Sequence, residues 1–356
     1  MADATVQSRV DDTVDHTPPT VDAVVLLGAG GVGKTSTSAA LGIAAARRGR
    51  RVVVLTVDPA RRLVETLGLS STYPSEVVEI TGIGGFRTGT LHATMLDPGH
   101  TLTGLVDEFA PSHARATAIH RNRLFQSLVG SLSGLSEYMA AERFRQLIRD
   151  PRFDLVIVDT PPAQNGVDVL DAPNRLTDLL DHRLYRTLLA PRRGVLRTLN
   201  AATHLAARAI GRVVGATLLS DVIEFFALFE GMDRGFADRA AEVDALLTSA
   251  RTHFLLVSTA RPEPLQTATW ISDQLGDRTI NPEAMVINRR LTEVPPPTTS
   301  MPEPIRRALN EHNAVAESES EVLRSMSVSR GHRLVTIPDA QHEDPLGVLV
   351  EMSEHL

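Results

Sequence analysis

Residues 28–35 read GAGGVGKT, set between an apolar run, AVVLL, and a helix-forming stretch, STSAALGIAAARRG. This is the G-x-x-x-x-G-K-[ST] pattern in the context that makes it meaningful, a strand before and a helix after. Glycines let successive backbone N–H groups curl around phosphates without Cβ clashes, and the positive end of the helix dipole adds to the attraction. The segment from Gly28 through Ala29, Gly30, Gly31, Val32, Gly33, Lys34 and Thr35 to Ser36 is therefore the expected cradle for ATP. Lys34 is expected against the β- and γ-phosphates, where it also serves catalysis, and Thr35 on Mg²⁺ through its hydroxyl. Of the 36 basic residues 35 are arginine, so Lys34 is the only lysine in the chain. A compact ammonium that must fit between phosphates is not replaceable by a planar guanidinium.

Around this loop, apolar β-rich runs alternate with helical patterns, as in a parallel sheet covered on both faces. Seven runs stand out: Val24–Leu27, Val52–Val57, Leu91–Leu96, Leu155–Val158, Phe254–Val257, Met285–Ile287 and Leu334–Ile337. Helical patterning fills residues 101–149, with breaks at Gly130 and Gly134, and residues 173–250, broken near Pro191 and Gly194. The expected fold is thus α/β, a doubly wound and mostly parallel sheet of the P-loop NTPase kind. Residues 1–21 are expected as a disordered tail and 22–356 as one domain, with a helical subdomain inserted at about 173–250.

Two more strands end in residues with chemistry to offer. Asp58 closes VLTVD at the carboxyl edge, where it either orients an attacking water or caps the helix that Asp-Pro begins. Asp159 closes DLVIVD, the form of a Walker-B carboxylate that holds a metal through water, or a simple cap. Thr160 and the two prolines after it form a stiff turn suited to sensing the γ-phosphate. Asn288 closes MVIN and is either an adenine-reading amide or a turn residue.

Composition excludes several classes. No cysteine is present, which removes disulfides, thiolate zinc sites and iron–sulfur clusters. A formal net charge of -7 argues against nucleic acid as a partner. The N-terminal residues lack the basic and apolar regions of a signal peptide, so a cytoplasmic address is expected.

Together, GAGGVGKTSTSAALGIAAARRGRRVVVLTVDPARRL, FDLVIVDTPP with LDAPNRL, MVINRR and VTIPDA resemble the arsenite-pump and tail-anchored-protein-targeting (ArsA-like) ATPases, deviant-Walker-A dimeric NTPases. The resemblance runs from about residue 22 to the C-terminus. SLSGLSEYMAAERF and DTPPAQNGVDVLDAPNRL are similar to the actinobacterial branch, in which paralogous subunits are encoded together. The resemblance implies ATP with Mg²⁺, Thr35, Asp58 and Asp159 around the metal, Asp58 as water activator, and Asn288 and Pro338 at the base. Two departures matter. The family's second lysine, which reaches the partner's nucleotide, is here Ala29, and the cysteines of zinc-clamped or metalloid-binding members are missing. A heterodimer with a paralogue that keeps the lysine is the expected working unit. An arginine-completed homodimer, using Arg61 or Arg62, is the alternative.

Residues 213–229, VVGATLLSDVIEFFALF, present one broad apolar face at helical spacing. The face either packs on the subdomain's own core or receives a hydrophobic client helix. Asp221 and Glu224 interrupt the run, so stable membrane insertion is not expected. The resulting expectation is a dimeric ATPase that couples nucleotide state to a hydrophobic client. A partition or positioning ATPase acting on DNA or a membrane surface is the alternative, disfavoured by an acidic C-terminus and the lack of a basic stripe.

Overall fold

The computed structural model describes residues 22–57, 76–86, 88–131, 136–181, 227–330, 333–340, 342 and 344–356. The expected tail, Asp58, Arg61, Arg62, the breaks at Gly134, Pro191 and Gly194, and all of the 213–229 run except its last three residues lie outside them.

The chain separates into two compact units. One comprises residues 1–96, 144–168 and 248–356, the other 97–143 and 169–247. The first is built on an eight-stranded sheet in the order β3-β4-β2-β5-β1-β6-β7-β8. Its strands are β1 (Ala23–Gly28), β2 (Arg51–Thr56), β3 (Val78–Glu79), β4 (Thr90–Met95), β5 (Leu155–Asp159), β6 (Thr252–Ser258), β7 (Ala284–Arg290) and β8 (Leu334–Pro338). All pairings are parallel except that of β3 with β4. Every apolar run read from the sequence is a strand. β3 is an addition, a two-residue antiparallel edge too short to carry a periodic signal.

Parallel central strands must be apolar on both faces, and β1 is: all six of its residues are buried. Val24 and Leu26 join the cluster made with α1 (Lys34–Arg47) and α10 (Pro345–Ser353), while the alternating Val25 and Leu27 bury on the other face. α1 is made for close packing, its alanines and Gly42 letting the helix approach the sheet. The helix α8 (Pro262–Gly276) covers β1 and β6 with Leu265, Ala268, Ile271 and Leu275 at helical spacing. The long helix α9 (Glu303–Arg330) precedes β8.

The second unit is helical among the described residues. It contains α2 (Pro98–Phe109), α3 (His113–Arg121), α4 (Arg123–Ser131), α7 (Asp233–Leu247), and parts of α5 (Ser136–Arg149) and α6 (Ala163–Asp181). Asp97 caps α2 by accepting from the His100 N–H at 2.9 Å, and Ser112 caps α3 by accepting from Arg115 at 3.3 Å. α6 begins ten residues ahead of the helical stretch read from residue 173 and runs through Pro173. The core of this unit includes Leu105, Ile119, Phe125 and Met139, with Phe236 edge-on to Phe109 at 5.1 Å and stacked on Phe229 at 6.3 Å. Phe229, the last aromatic of the 213–229 run, thus packs on its own unit's core.

Candidate nucleotide site

The carboxyl ends of the central strands gather the site residues. From β1 the chain crosses to β2 on one side, and from β5 it continues to β6 on the other, so the loop after β1 sits at the reversal of strand order. Open α/β sheets bind ligands at such a point. Gly28 ends β1, Ala29 packs against the core cluster, and Val32 is buried in it. Gly30 and Gly31 stand exposed between them. Ser36 is half-buried in the first turn of α1.

Two glycines are required by geometry. Gly31 has φ +77 and faces open space, with no heavy atom within 4 Å of where a Cβ would stand. Gly33 has φ +91, and a Cβ there would stand 2.1 Å from the Asn288 amide nitrogen. Glycine adopts both of these left-handed conformations without the steric cost that a Cβ carries. The result is a loop of backbone N–H groups opening directly onto the N-terminus of α1, a concavity fitted to anionic phosphate.

Lys34, nearly buried, folds back from the first turn of α1 and donates to the carbonyls of Gly28 and Ala29, both at 2.9 Å. Its ammonium therefore spans the loop from within. The Thr35 hydroxyl donates to Asp159 Oδ2 at 2.8 Å, and Thr56 donates to the same oxygen at 3.1 Å. Asp159 is 1% exposed, at the end of β5. An all-oxygen set of hydroxyl and carboxylate beside a phosphate cradle fits Mg²⁺, a hard cation that keeps most of its waters. The Thr160 hydroxyl donates to the Leu26 carbonyl at 2.6 Å and ties β5 to β1.

Asn288, 3% exposed, is held against the loop. Its amide nitrogen donates to the Val32 carbonyl at 2.9 Å, and its oxygen accepts from the Arg289 N–H at 3.0 Å. An amide carries a second N–H and a second lone pair, so a base edge can still be met. Pro338 ends β8, half-buried and in register with Arg290 of β7. The structure thus brings together Lys34, Thr35 and Asp159 on one side of the loop and Asn288 on the other. Sequence reasoning missed two participants, Thr56 and Arg289. The threonine that ends the strand one pairing away from Asp159 was a readable signal, whereas Arg289 carried none.

Comparison with known proteins places the chain among relatives. Residues 21–307 match the sequence profile of the ArsA ATPase family, described as anion-transporting ATPase. An uncharacterized protein of Streptomyces coelicolor is 27% identical over 301 residues, 81% of this chain and 68% of that protein. The ATPase ASNA1 homolog 1 of Paramecium tetraurelia is 26% identical over 171 residues, 48% of this chain and 49% of that protein. The ATPase GET3 of Malassezia globosa is 28% identical over 153 residues, 43% of each chain. The match therefore spans about half the length of the Paramecium and Malassezia relatives. On the profile match, which covers most of its length, the chain belongs to the ArsA-type, anion-transporting ATPase family.

Proposed function

We propose that the chain binds Mg-ATP at the Gly28–Ser36 loop and hydrolyses it, coupling nucleotide state to a hydrophobic client or partner protein. The observation that carries the ATPase reading is the Lys34 ammonium inside a glycine loop whose next residue, Thr35, is hydrogen-bonded to buried Asp159. In this reading the loop N–H groups and Lys34 hold the phosphates, Thr35 coordinates Mg²⁺, and Asp159 holds a metal-bound water. Asn288 and Pro338 serve the adenine. Asp58 activates the attacking water and contributes near the metal. Such preorganised charge accelerates phosphoryl transfer mainly in the transition state.

Hydrolysis is tested at Asp58. Asp58→Asn is expected to keep ATP affinity and lose turnover by at least about tenfold, or ~1.4 kcal/mol in barrier. Turnover within about threefold of the unchanged protein would reduce Asp58 to a helix cap.

The working unit is proposed as a heterodimer in the cytoplasm. Ala29 stands where the resembled family carries its second lysine, and the chain holds no other lysine to supply it. A paralogous subunit that keeps this lysine would complete the charge around the transferred phosphate. No described helix is long and apolar enough to cross a membrane. The client reading rests on the apolar 213–229 run, although its last aromatic, Phe229, packs on Phe236, and on the resemblance to targeting ATPases. The purified chain alone is expected to hydrolyse ATP slowly and to stay monomeric by light scattering with and without ATP. A homodimer turning over at about 1–10 per second, an ordinary enzyme rate, refutes the partner requirement.

A further inference from the structure

MVINRR ends in two arginines that do different work. Arg290 is committed to α9 and the segment before it: its guanidinium donates to the carbonyls of Leu291 at 2.6 Å and Ala316 at 3.2 Å and to Glu319 Oε2 at 2.9 Å. Arg289 is exposed and turns the other way, reaching the Gly31 carbonyl of the phosphate loop with a long 3.4 Å hydrogen bond. Its backbone has φ +54, a conformation costly for a residue with a Cβ. What holds it there is the Asn288 side chain, which accepts from the Arg289 N–H while donating to Val32. Strain of this kind persists only where the surroundings impose it, and it gathers at ligand sites.

The position of Arg289 decides which part of a nucleotide it meets. Lys34 binds the first carbonyls of the loop, Gly28 and Ala29, beside Thr35 and the β5 carboxylate Asp159. Arg289 and Asn288 bind the far carbonyls, Gly31 and Val32, from β7, which lies beyond β6 on the opposite side of β1. A nucleotide whose terminal phosphates and metal lie at β5 must carry its nucleoside toward β7. A planar guanidinium held on that rim by one long hydrogen bond meets a purine by its face, where stacking and cation–π attraction act together.

We propose that Arg289 is a nucleoside clamp: its guanidinium stacks on the base of the bound nucleotide while Asn288 meets the base edge. This deepens the ATPase reading and rests on it. Stacking does not distinguish one purine from another, so Arg289 contributes affinity and Asn288 supplies the choice of base.

The test is calorimetric, on the full chain, with Mg-ATP and separately with magnesium tripolyphosphate, which presents the phosphates without a nucleoside. Arg289→Ala and Arg289→Gly both remove the guanidinium, but only glycine adopts the left-handed backbone freely. Both variants are expected to bind ATP roughly tenfold more weakly and tripolyphosphate within about twofold of the unchanged protein. Equal loss of both ligands would assign the guanidinium to the phosphates and overturn the proposal. Unchanged ATP affinity would overturn it too, as would a loss in the alanine variant that glycine restores. If the unchanged protein binds neither ligand, the nucleotide site itself fails and the clamp with it.

Discussion

Lys34→Ala is expected to abolish measurable Mg-ATP binding while the nucleotide-free protein keeps its melting temperature within a few degrees. The nearly buried ammonium bridges two loop carbonyls, Gly28 and Ala29, and its removal gives up both of these hydrogen bonds in the unliganded fold. Bonds from a charged donor contribute about 1.5–3 kcal/mol each, but removing the nearly buried ammonium also removes the cost of its desolvation, so the net change in fold stability is expected to be small. Binding suffers far more. Charge-assisted hydrogen bonds to phosphate are worth about 1.5–3 kcal/mol each, and losing two of them weakens affinity by two to four orders of magnitude. No other lysine exists to compensate. Calorimetry and thermal melts of the same preparation separate the two effects, and a variant that binds ATP within about fivefold of the unchanged protein, ~1 kcal/mol, would remove Lys34 from the site.

The largest stability effect is expected at Arg239, in the helical unit. Its guanidinium, on α7, donates to Glu142 of α5 at 2.8 Å and to Glu108 of α2, and lies 5.0 Å from the centre of the Phe109 ring. Glu142 is 0% exposed. Burial, the largest single influence on Arg239, pulls its pKa down. The Glu108 hydrogen bond and the charge of Glu142 more than offset that, and the net shift is upward. Arg239→Met keeps the volume but strips a fully buried carboxylate of its guanidinium, a change that costs about 3–5 kcal/mol. Adding Glu142→Leu removes that buried charge as well, and the double variant is expected to recover most of the loss. Urea unfolding followed by circular dichroism reads both. A loss under about 1 kcal/mol in the single variant would mean that solvent reaches Glu142.

The parallel sheet was legible because buried strands are continuous in Val, Ile and Leu, and each such run found its place. β3 was not, since two residues paired at an edge are held by their neighbour β4 and leave no pattern of their own. The meeting of Lys34, Thr35 and Asp159 was readable because motif spacing sets the first two and strand pairing sets the third: Asp159 ends β5 in register with Leu26 of β1. The engagement of Asn288 with the loop was not readable. It depends on how far β7 stands from β1, a distance set by β6 and by no residue near Asn288. The same holds for Arg289, whose left-handed backbone depends on a side chain one residue earlier and a carbonyl 258 positions away in sequence.

The contact between Gly33 and Asn288 makes those two positions a single unit of variation. The amide nitrogen occupies the volume that any Cβ at residue 33 would need, 2.1 Å away. Selection cannot enlarge residue 33 without first shrinking residue 288, and a smaller residue 288 gives up the bond that holds the Val32 carbonyl. A lineage that alters residue 288 therefore reshapes this glycine loop in the same step.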